Sequence, residues 1–132
     1  MEKIYQYIKD HATEQSEALA WVEKQTHIRT NHARMLSGAV QGQIMRMLVQ
    51  TSGASRILEL GTFTGYSAIC LASTLPSDGH LDTLELNDEL EDLILEGFER
   101  AGLDEKIQRQ LNGMEIVKTI VVKNKLVNLI VK

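Results

Sequence analysis

The sequence predicts an α/β fold in which a doubly wound parallel sheet follows an N-terminal layer of helices. From Arg56 onward, short apolar runs alternate with amphipathic stretches in the order β-α-β-α-β, whereas residues 1–52 show only helical periodicity. In the segment Ile57–Ser67, an apolar run ends in an acid, meets a glycine turn and enters a helix. Together these patterns are typical of an open sheet whose parallel strands are joined by right-handed crossovers.

The composition indicates one compact globular unit and argues against several classes of function. Hydrophobic residues make up 43% and charged residues 24% of the 132-residue chain, which is typical of a folded protein. A net charge of -4 without a basic run favours neither nucleic acid nor a membrane surface as a partner. We expect no signal peptide and no membrane-spanning helix. The single cysteine, Cys70, cannot form an internal disulfide, so we expect a cytoplasmic protein.

The N-terminal layer is predicted to contain three helices. Met1–His11 has apolar residues at helical spacing, and a second helix is predicted to begin near Thr13–Ser16, where hydroxyl groups can cap it. Residues Thr26–Arg34 are polar and are predicted to form a connection. A third helix is predicted to begin after Ser37 and to end at Gly53. Its apolar face is predicted to consist of Val40, Ile44, Met47 and Leu48.

Residues 53–132 are predicted to form a partial sheet domain that packs with the helical layer, residues 1–52, as one structural unit. The predicted strands are 56–60, 81–86, 106–111 and 126–131. Tyr66–Leu75 is a predicted helix that Pro76 stops, and a further helix is predicted to begin at Asn87 or Asp88. The buried stripe of that last helix is predicted to consist of Leu90, Leu93, Ile94, Phe98 and Ala101.

The residues that carry chemistry are predicted to lie at the carboxyl ends of the strands, where open α/β sheets bind their ligands. Glu59 ends the first strand, and Gly61 and Gly65 allow a tight loop with close backbone approach. Glu85 ends the second strand, where an acid can accept hydrogen bonds from both hydroxyls of a ribose. The Gly-x-x-x-Gly spacing differs from that of dinucleotide and phosphate loops. We therefore expect S-adenosylmethionine rather than NAD or ATP.

Several motifs recur here in a recognisable order and spacing. They are Arg34–Gly38, Gln41–Gln43, Ile57–Ser67, Pro76–Gly79, Leu84–Asn87 and Ala101–Leu103. As a set they resemble the catechol and caffeoyl-CoA type of S-adenosylmethionine-dependent O-methyltransferases, over roughly residues 13–115. The resemblance implies the first half of a Rossmann-like methyltransferase sheet. It also implies methyl transfer to a hydroxyl of a small, catechol-like aromatic acceptor.

The resemblance further implies a set of cofactor-binding residues, and it assigns no catalytic residue. The set consists of Ser37, Glu59, Gly61, Thr62, Ser67, Glu85 and Met114. Ser37 corresponds to a contact with the methionine part, and Glu59, Gly61 and Thr62 to the loop at its amino-acid end. Ser67 corresponds to the hydroxyl that binds the carboxylate, and Glu85 to the acid that holds the ribose hydroxyls. Met114 falls near the adenine-contacting segment.

The family also uses a divalent metal, magnesium or calcium, which orients the acceptor hydroxyls and lowers their pKa. The sequence shows no ligand set for this metal, because Asn128 or Lys132 stands where the family's first metal-binding aspartate begins. The four histidines, His11, His27, His32 and His80, show no metal-ligand spacing either.

Two hypotheses of different classes follow, beside a nicotinamide-dependent enzyme that the glycine spacing disfavours. The first is an O-methyltransferase. The second is an apparently truncated, catalytically silent remnant that binds the cofactor or a partner chain, with a frameshift or stop after about Glu115 as its origin. The tail Ile116–Lys132, which contains few residue types, motivates the second hypothesis. A sheet that ends after three or four strands exposes an edge, so we expect a homodimer.

Overall fold

The computed structural model describes residues 2–103, 116–122 and 125–131, and these confirm the predicted α/β class. The elements are α1 (Glu2–His11), α2 (Glu17–Arg29), α3 (Gly38–Ser52), β1 (Arg56–Leu60), α4 (Tyr66–Ala72), β2 (His80–Leu84), α5 (Glu91–Arg100), β3 (Ile116–Val122) and β4 (Lys125–Val131). Short 3-10 helices at Ala33–Met35 and Asp88–Leu90 precede α3 and α5.

Strands β1 and β2 pair in parallel, with Ile57 opposite Leu81 and Glu59 opposite Thr83. Because side chains alternate along a strand, these four share one face of the sheet. Leu81 and Thr83 are buried on that face. On the opposite face Leu58 is exposed, and no element in the described part of the chain covers it. The polar Glu59 is therefore directed toward the helices rather than toward solvent.

The C-terminal strands differ from the predicted parallel arrangement. The prediction of a strand at 106–111 lies outside the described residues. The predicted strand 126–131 is present as β4, but it pairs antiparallel with β3 in a separate two-stranded sheet. Only two residues join β3 to β4, and a parallel neighbour requires a crossover of a dozen or more residues.

Helix α2 extends into the segment that was predicted to be a connection. Ser16 caps this helix as predicted, since its hydroxyl accepts a hydrogen bond from the Leu19 N–H at 3.4 Å. The helix continues to Arg29 because Thr26, although polar, is fully buried and its hydroxyl donates to the Val22 carbonyl at 2.7 Å. The prediction of a connection over Thr26–Arg34 is therefore wrong over its first half.

Helix α3 has the predicted ends, and Gly53 caps it in the left-handed conformation. Its predicted apolar face is wrong, because Ile44, Met47 and Leu48 are 49%, 56% and 59% exposed. The buried side instead contains Gly42, where a Cβ atom would lie 2.8 Å from Cys70 Sγ. Helix α3 therefore packs on α4 through Gly42. Hydrophobic periodicity does not predict this contact, because glycine has no apolar side chain.

Helix α4 ends at Ala72, three residues before the predicted end. The Ser73 and Thr74 hydroxyls donate to the carbonyls of Cys70 and Leu71, both at 2.9 Å, and such local bonds compete with helix continuation. In α5, the predicted core residues Leu93, Ile94 and Phe98 are buried, while Leu90 and Ala101 are partly buried. The helix ends at Arg100, and the predicted stop residue Gly102 follows its C-cap in the left-handed conformation.

One hydrophobic core lies between the sheet and helices α2, α4 and α5, and it includes Val22, Ile69, Leu81 and Phe98. Cys70 belongs to this core, as predicted, and burial raises the pKa of its thiol to about 11. The thiol is therefore a packing group. Within the described ranges, no helix is long and apolar enough to cross a membrane.

Candidate functional site

The loop between β1 and α4 folds back onto the end of β2. The Gly61 and Thr62 N–H groups both donate to the Leu84 carbonyl, at 2.9 and 3.2 Å. The Gly65 N–H donates to the Thr62 carbonyl at 2.9 Å, which closes a tight turn. Phe63 has a φ of +52°, a left-handed conformation that is costly for a bulky residue. Backbone strain at this position is typical of a loop that is shaped for a ligand.

Glu85, the residue directly after β2, holds the loop in this shape. Its Oε2 accepts a hydrogen bond from the Phe63 N–H at 2.6 Å. Its Oε1 accepts from the N–H groups of Leu86 and Asn87, at 2.9 and 3.0 Å. A carboxylate offers about four acceptor positions, so Glu85 keeps capacity for a ligand hydroxyl. Glu85 is thus both an exposed acid at the sheet edge and a clamp on the loop.

Glu59 lies beneath the loop on the helix-facing side of the sheet. Its Oε2 accepts a hydrogen bond from the Thr83 hydroxyl at 2.6 Å, and its carboxylate also bonds with the Ser67 side chain. Burial raises the pKa of Glu59 above its ordinary value of 4.5, although the bonds from Ser67 and Thr83 oppose the shift. The nearby negative charge of Glu85 adds to the increase in pKa. An ionised Glu59 therefore favours a cationic ligand group.

The raised pKa of Glu59 predicts that Glu59→Gln stabilises the ligand-free protein at pH 7. Because the folded chain holds this proton more tightly than the unfolded chain, stability is lost as the pH rises from 4.5 through the raised pKa. Glutamine remains neutral and avoids this loss. Thermal unfolding should show a higher Tm for Glu59→Gln at pH 7 and no difference below about pH 4. A lower Tm at pH 7, or equal effects from Glu89→Gln at the exposed Glu89, would contradict the prediction.

A cavity of about 340 Å³ opens at the carboxyl ends of both strands. It is lined by Met35, Leu36, Ser37, Leu60, Gly61, Thr62, Phe63, Thr64, Tyr66, Ser67 and Glu85. A neighbouring cavity of about 200 Å³ shares Thr62 and Glu85 with it and has an apolar wall of Leu86, Ile94 and Leu95. The first cavity alone reaches the lower end of the range of about 300–1,000 Å³ for small-molecule sites.

The structure thus brings most of the residues predicted for the site to one place. Those that line the larger cavity are Ser37, Gly61, Thr62, Ser67 and Glu85. Glu59 does not line it but is bonded to Ser67, which does. Ser37 precedes α3 without a capping hydrogen bond from its side chain. Met114 lies outside the described residues, so its role stays a prediction.

Three buried threonines that surround the loop were not among the residues predicted for the site. Thr83 is 3% exposed, and Thr26 and Thr64 are fully buried and hydrogen-bonded to each other at 2.8 Å. The strand pattern contains a signal for Thr83, because it stands two residues after the buried Leu81 and so faces the core. No comparable signal exists for Thr26 and Thr64, which are 38 residues apart in the chain.

The described ranges, 2–103 and the two C-terminal strands, contain no group of three or more His, Cys, Asp or Glu side chains that could hold a metal ion. Glu59 and Glu85 are both engaged by hydroxyl or backbone N–H donors, which suit an organic ligand rather than a cation shell. Glu59 and Glu85 therefore do not fit the divalent metal that the resemblance implies for the family, and we assign no chemical step to such a metal.

Comparison with known proteins gives the same family as the sequence motifs. The profile of the O-methyltransferase family matches residues 9–129. Caffeoyl-CoA O-methyltransferase 1 from Zea mays is 30% identical over 125 residues, covering 92% of this chain and 48% of the maize protein. Caffeoyl-CoA O-methyltransferase 2 from Petunia hybrida is 35% identical over 107 residues, covering 80% of this chain and 44% of the petunia protein. The chain spans about half the length of the curated relatives it matches.

Solved structures extend the likeness to three dimensions. The O-methyltransferase from Bacillus cereus, solved in complex with SAH, has a TM-score of 0.71 and 33% identity, covering 80% of this chain and 47% of that chain. The O-methyltransferase TomG from Streptomyces achromogenes, solved in complex with SAM, has a TM-score of 0.74 and 30% identity over the same shares. The likeness confirms the predicted Rossmann-like methyltransferase fold.

Proposed function

The chain belongs to the O-methyltransferase family, and we propose that it binds S-adenosylmethionine in the cavity at the carboxyl ends of β1 and β2. We further propose that it transfers the methyl group to a hydroxyl of a small, catechol-like aromatic acceptor. The observation that supports this proposal most is the convergence of the residues predicted for the site on one cavity, with Glu85 at its edge. The names of the caffeoyl-CoA relatives support the choice of acceptor class.

The two cavities suggest how the cofactor lies. Glu85 lines both cavities and can accept a hydrogen bond from a ribose hydroxyl. The apolar wall beside it, which includes Ile94 and Leu95, suits the adenine ring. On the other side, Ser67 lines the larger cavity and suits the amino-acid end, and the negative charge of Glu59, which is bonded to Ser67, favours the ammonium group there. This placement leaves the sulfonium near the part of the larger cavity that Leu36 lines.

S-adenosylmethionine supplies an electrophilic methyl group, and the chain's own residues supply binding and orientation. In-line transfer from sulfur to oxygen requires the acceptor hydroxyl to approach opposite the departing sulfur. Leu36 and Met35 give the larger cavity an apolar part that can exclude water from this approach. Because methyl transfer also requires a group that takes the acceptor proton, catalysis is tested separately from binding.

Isothermal titration calorimetry with S-adenosylmethionine tests binding, with NAD and ATP as matched nucleotides that the glycine spacing disfavours. We expect heat with S-adenosylmethionine alone. No detectable heat at millimolar concentration would overturn the proposal. Mass spectrometry of catechol incubated with protein and S-adenosylmethionine then tests transfer. Binding without a methylated product would favour the second hypothesis, a cofactor-binding protein that is catalytically silent.

We also propose that the protein is a cytoplasmic homodimer. Apolar side chains of α1 and α3 are exposed in the single chain, and burying such a surface against a second copy is favourable. Ile4, Tyr5, Ile8, Ile44 and Leu48 belong to this surface. The single cysteine is compatible with a reducing compartment. Light scattering on the calorimetry sample reports the mass, and a monomer at that concentration would contradict the dimer.

A further inference from the structure

We propose that Thr83, together with Thr62, is a positioning residue that fixes the Glu59 carboxylate against Ser67, whose side chain lines the cavity at the amino-acid end of the bound nucleoside. This inference rests on the proposed function, because it concerns the same cavity. Its basis is a continuous chain of side-chain hydrogen bonds that runs from the loop through β2 to β1.

The chain of hydrogen bonds is short and buried. The hydroxyl oxygens of Thr62 and Thr83 are 2.6 Å apart, and Thr83 Oγ1 is 2.6 Å from Glu59 Oε2. Both threonines are 3% exposed. Thr83 and Glu59 are direct register partners in the parallel sheet, so the backbone fixes the distance between them. Water therefore has little access to compete for these bonds.

The direction of each hydrogen bond follows from the carboxylate of Glu59, which ends the chain of bonds. An ionised carboxylate can only accept hydrogen bonds, so the Thr83 hydroxyl donates its one proton to Glu59. Thr83 then has no further proton to donate and accepts from Thr62. Since Thr62 belongs to the glycine loop, the position of the loop determines the orientation of the carboxylate.

The choice of residue at position 83 supports a role beyond packing. A buried strand position beside Leu81 favours valine, which has the same shape as threonine and no hydroxyl to desolvate. The hydroxyl is useful here because it bonds the carboxylate oxygen and so restricts its rotation. Without this bond, Glu59 keeps only the Ser67 partner and loses its fixed plane.

Binding of two thioether ligands distinguishes a positioning role of Thr83 from a general structural role. S-adenosylhomocysteine carries the amino-acid end, and 5′-methylthioadenosine has the same adenosine and sulfur without it. For Thr83→Val we expect S-adenosylhomocysteine to bind about 10-fold more weakly, which corresponds to one charge-assisted hydrogen bond, and 5′-methylthioadenosine to bind within about twofold of the wild type. Thr83→Ser, which keeps the hydroxyl, should restore the affinity.

Thr26→Val is the matched control, because Thr26 is a buried threonine whose hydroxyl bonds outside this chain of hydrogen bonds. It should change the affinities for both ligands by the same factor. Equal weakening of both ligands by Thr83→Val, or no weakening of either, would overturn the positioning role and leave the proposed function intact. Failure of the wild-type protein to bind either ligand would overturn both proposals.

Discussion

Replacing Glu85 with alanine is expected to weaken binding of S-adenosylmethionine by about 10- to 100-fold. One hydrogen bond from a ribose hydroxyl to a charged acceptor contributes about 1.5–3 kcal/mol, and about 2.7 kcal/mol corresponds to 100-fold. The same change removes the acceptor for the N–H groups of Phe63, Leu86 and Asn87. The loop is then free to leave its strained conformation, which adds to the loss. Calorimetric titration measures the effect.

Glu85→Gln keeps the size of the side chain and changes only its charge and its hydrogen-bonding groups. Both carboxylate oxygens accept from backbone N–H groups, Oε2 from Phe63 and Oε1 from Leu86 and Asn87. An amide in either orientation therefore places its own NH₂ against an N–H donor. We expect Glu85→Gln to resemble Glu85→Ala, whereas Glu89→Gln, at an exposed acid nearby, should bind as the wild type does. Affinity of Glu85→Ala within threefold of the wild type would contradict the proposed role of Glu85.

Gly65→Ala is expected to lower the free energy of unfolding by about 2–5 kcal/mol, since left-handed backbone costs an L-residue about 1–2 kcal/mol and overpacking costs about 1–3 kcal/mol. Gly65 has a φ of +85°, and a Cβ atom there would lie 3.0 Å from Phe98 Cε1. Phe98 is fully buried and has little room to move. A loss of this size is a large fraction of the stability of a small domain. Urea unfolding followed by circular dichroism measures it.

Gly53→Ala isolates the contribution of the contact with Phe98. Gly53 also has a positive φ, +65°, but no atom lies within 4 Å of the position that its Cβ would occupy. The difference between the two variants therefore measures the packing of the loop against α5. Equal destabilisation by the two substitutions would show that the Phe98 ring moves aside without lowering the free energy of unfolding.

The local elements that the sequence predicted correctly share a physical basis. Strand β1, helix α1 and both ends of α3 follow from apolar runs, helical spacing and a left-handed glycine, all of which operate within a few residues. The errors arose where distant contacts decide the outcome. Thr26 continues α2 because it is buried against Thr64, and α3 turns Gly42 rather than its larger apolar residues toward α4.

The same division applies to the candidate site. The acid, glycine and hydroxyl positions of the loop are close together in the chain, so their pattern predicted a ligand loop, and together with Glu85 and the other motifs it indicated a nucleoside and a family. The bonds that shape the loop join residues that are 21 to 24 positions apart. No local pattern predicts that Glu85 clamps Phe63 or that Thr83 orients Glu59.

The sequence by itself determined the fold class, the position of the loop and the residue types that can meet a nucleoside. These features depend on periodicity, turn geometry and side-chain chemistry, which are properties of neighbouring residues. Only the tertiary structure decided which hydroxyls are buried, which acid is desolvated and which helix faces remain exposed. The reason is that burial and hydrogen-bond direction depend on what the folded sheet places beside each residue, and in this chain the decisive neighbour of Glu59 comes from the next strand.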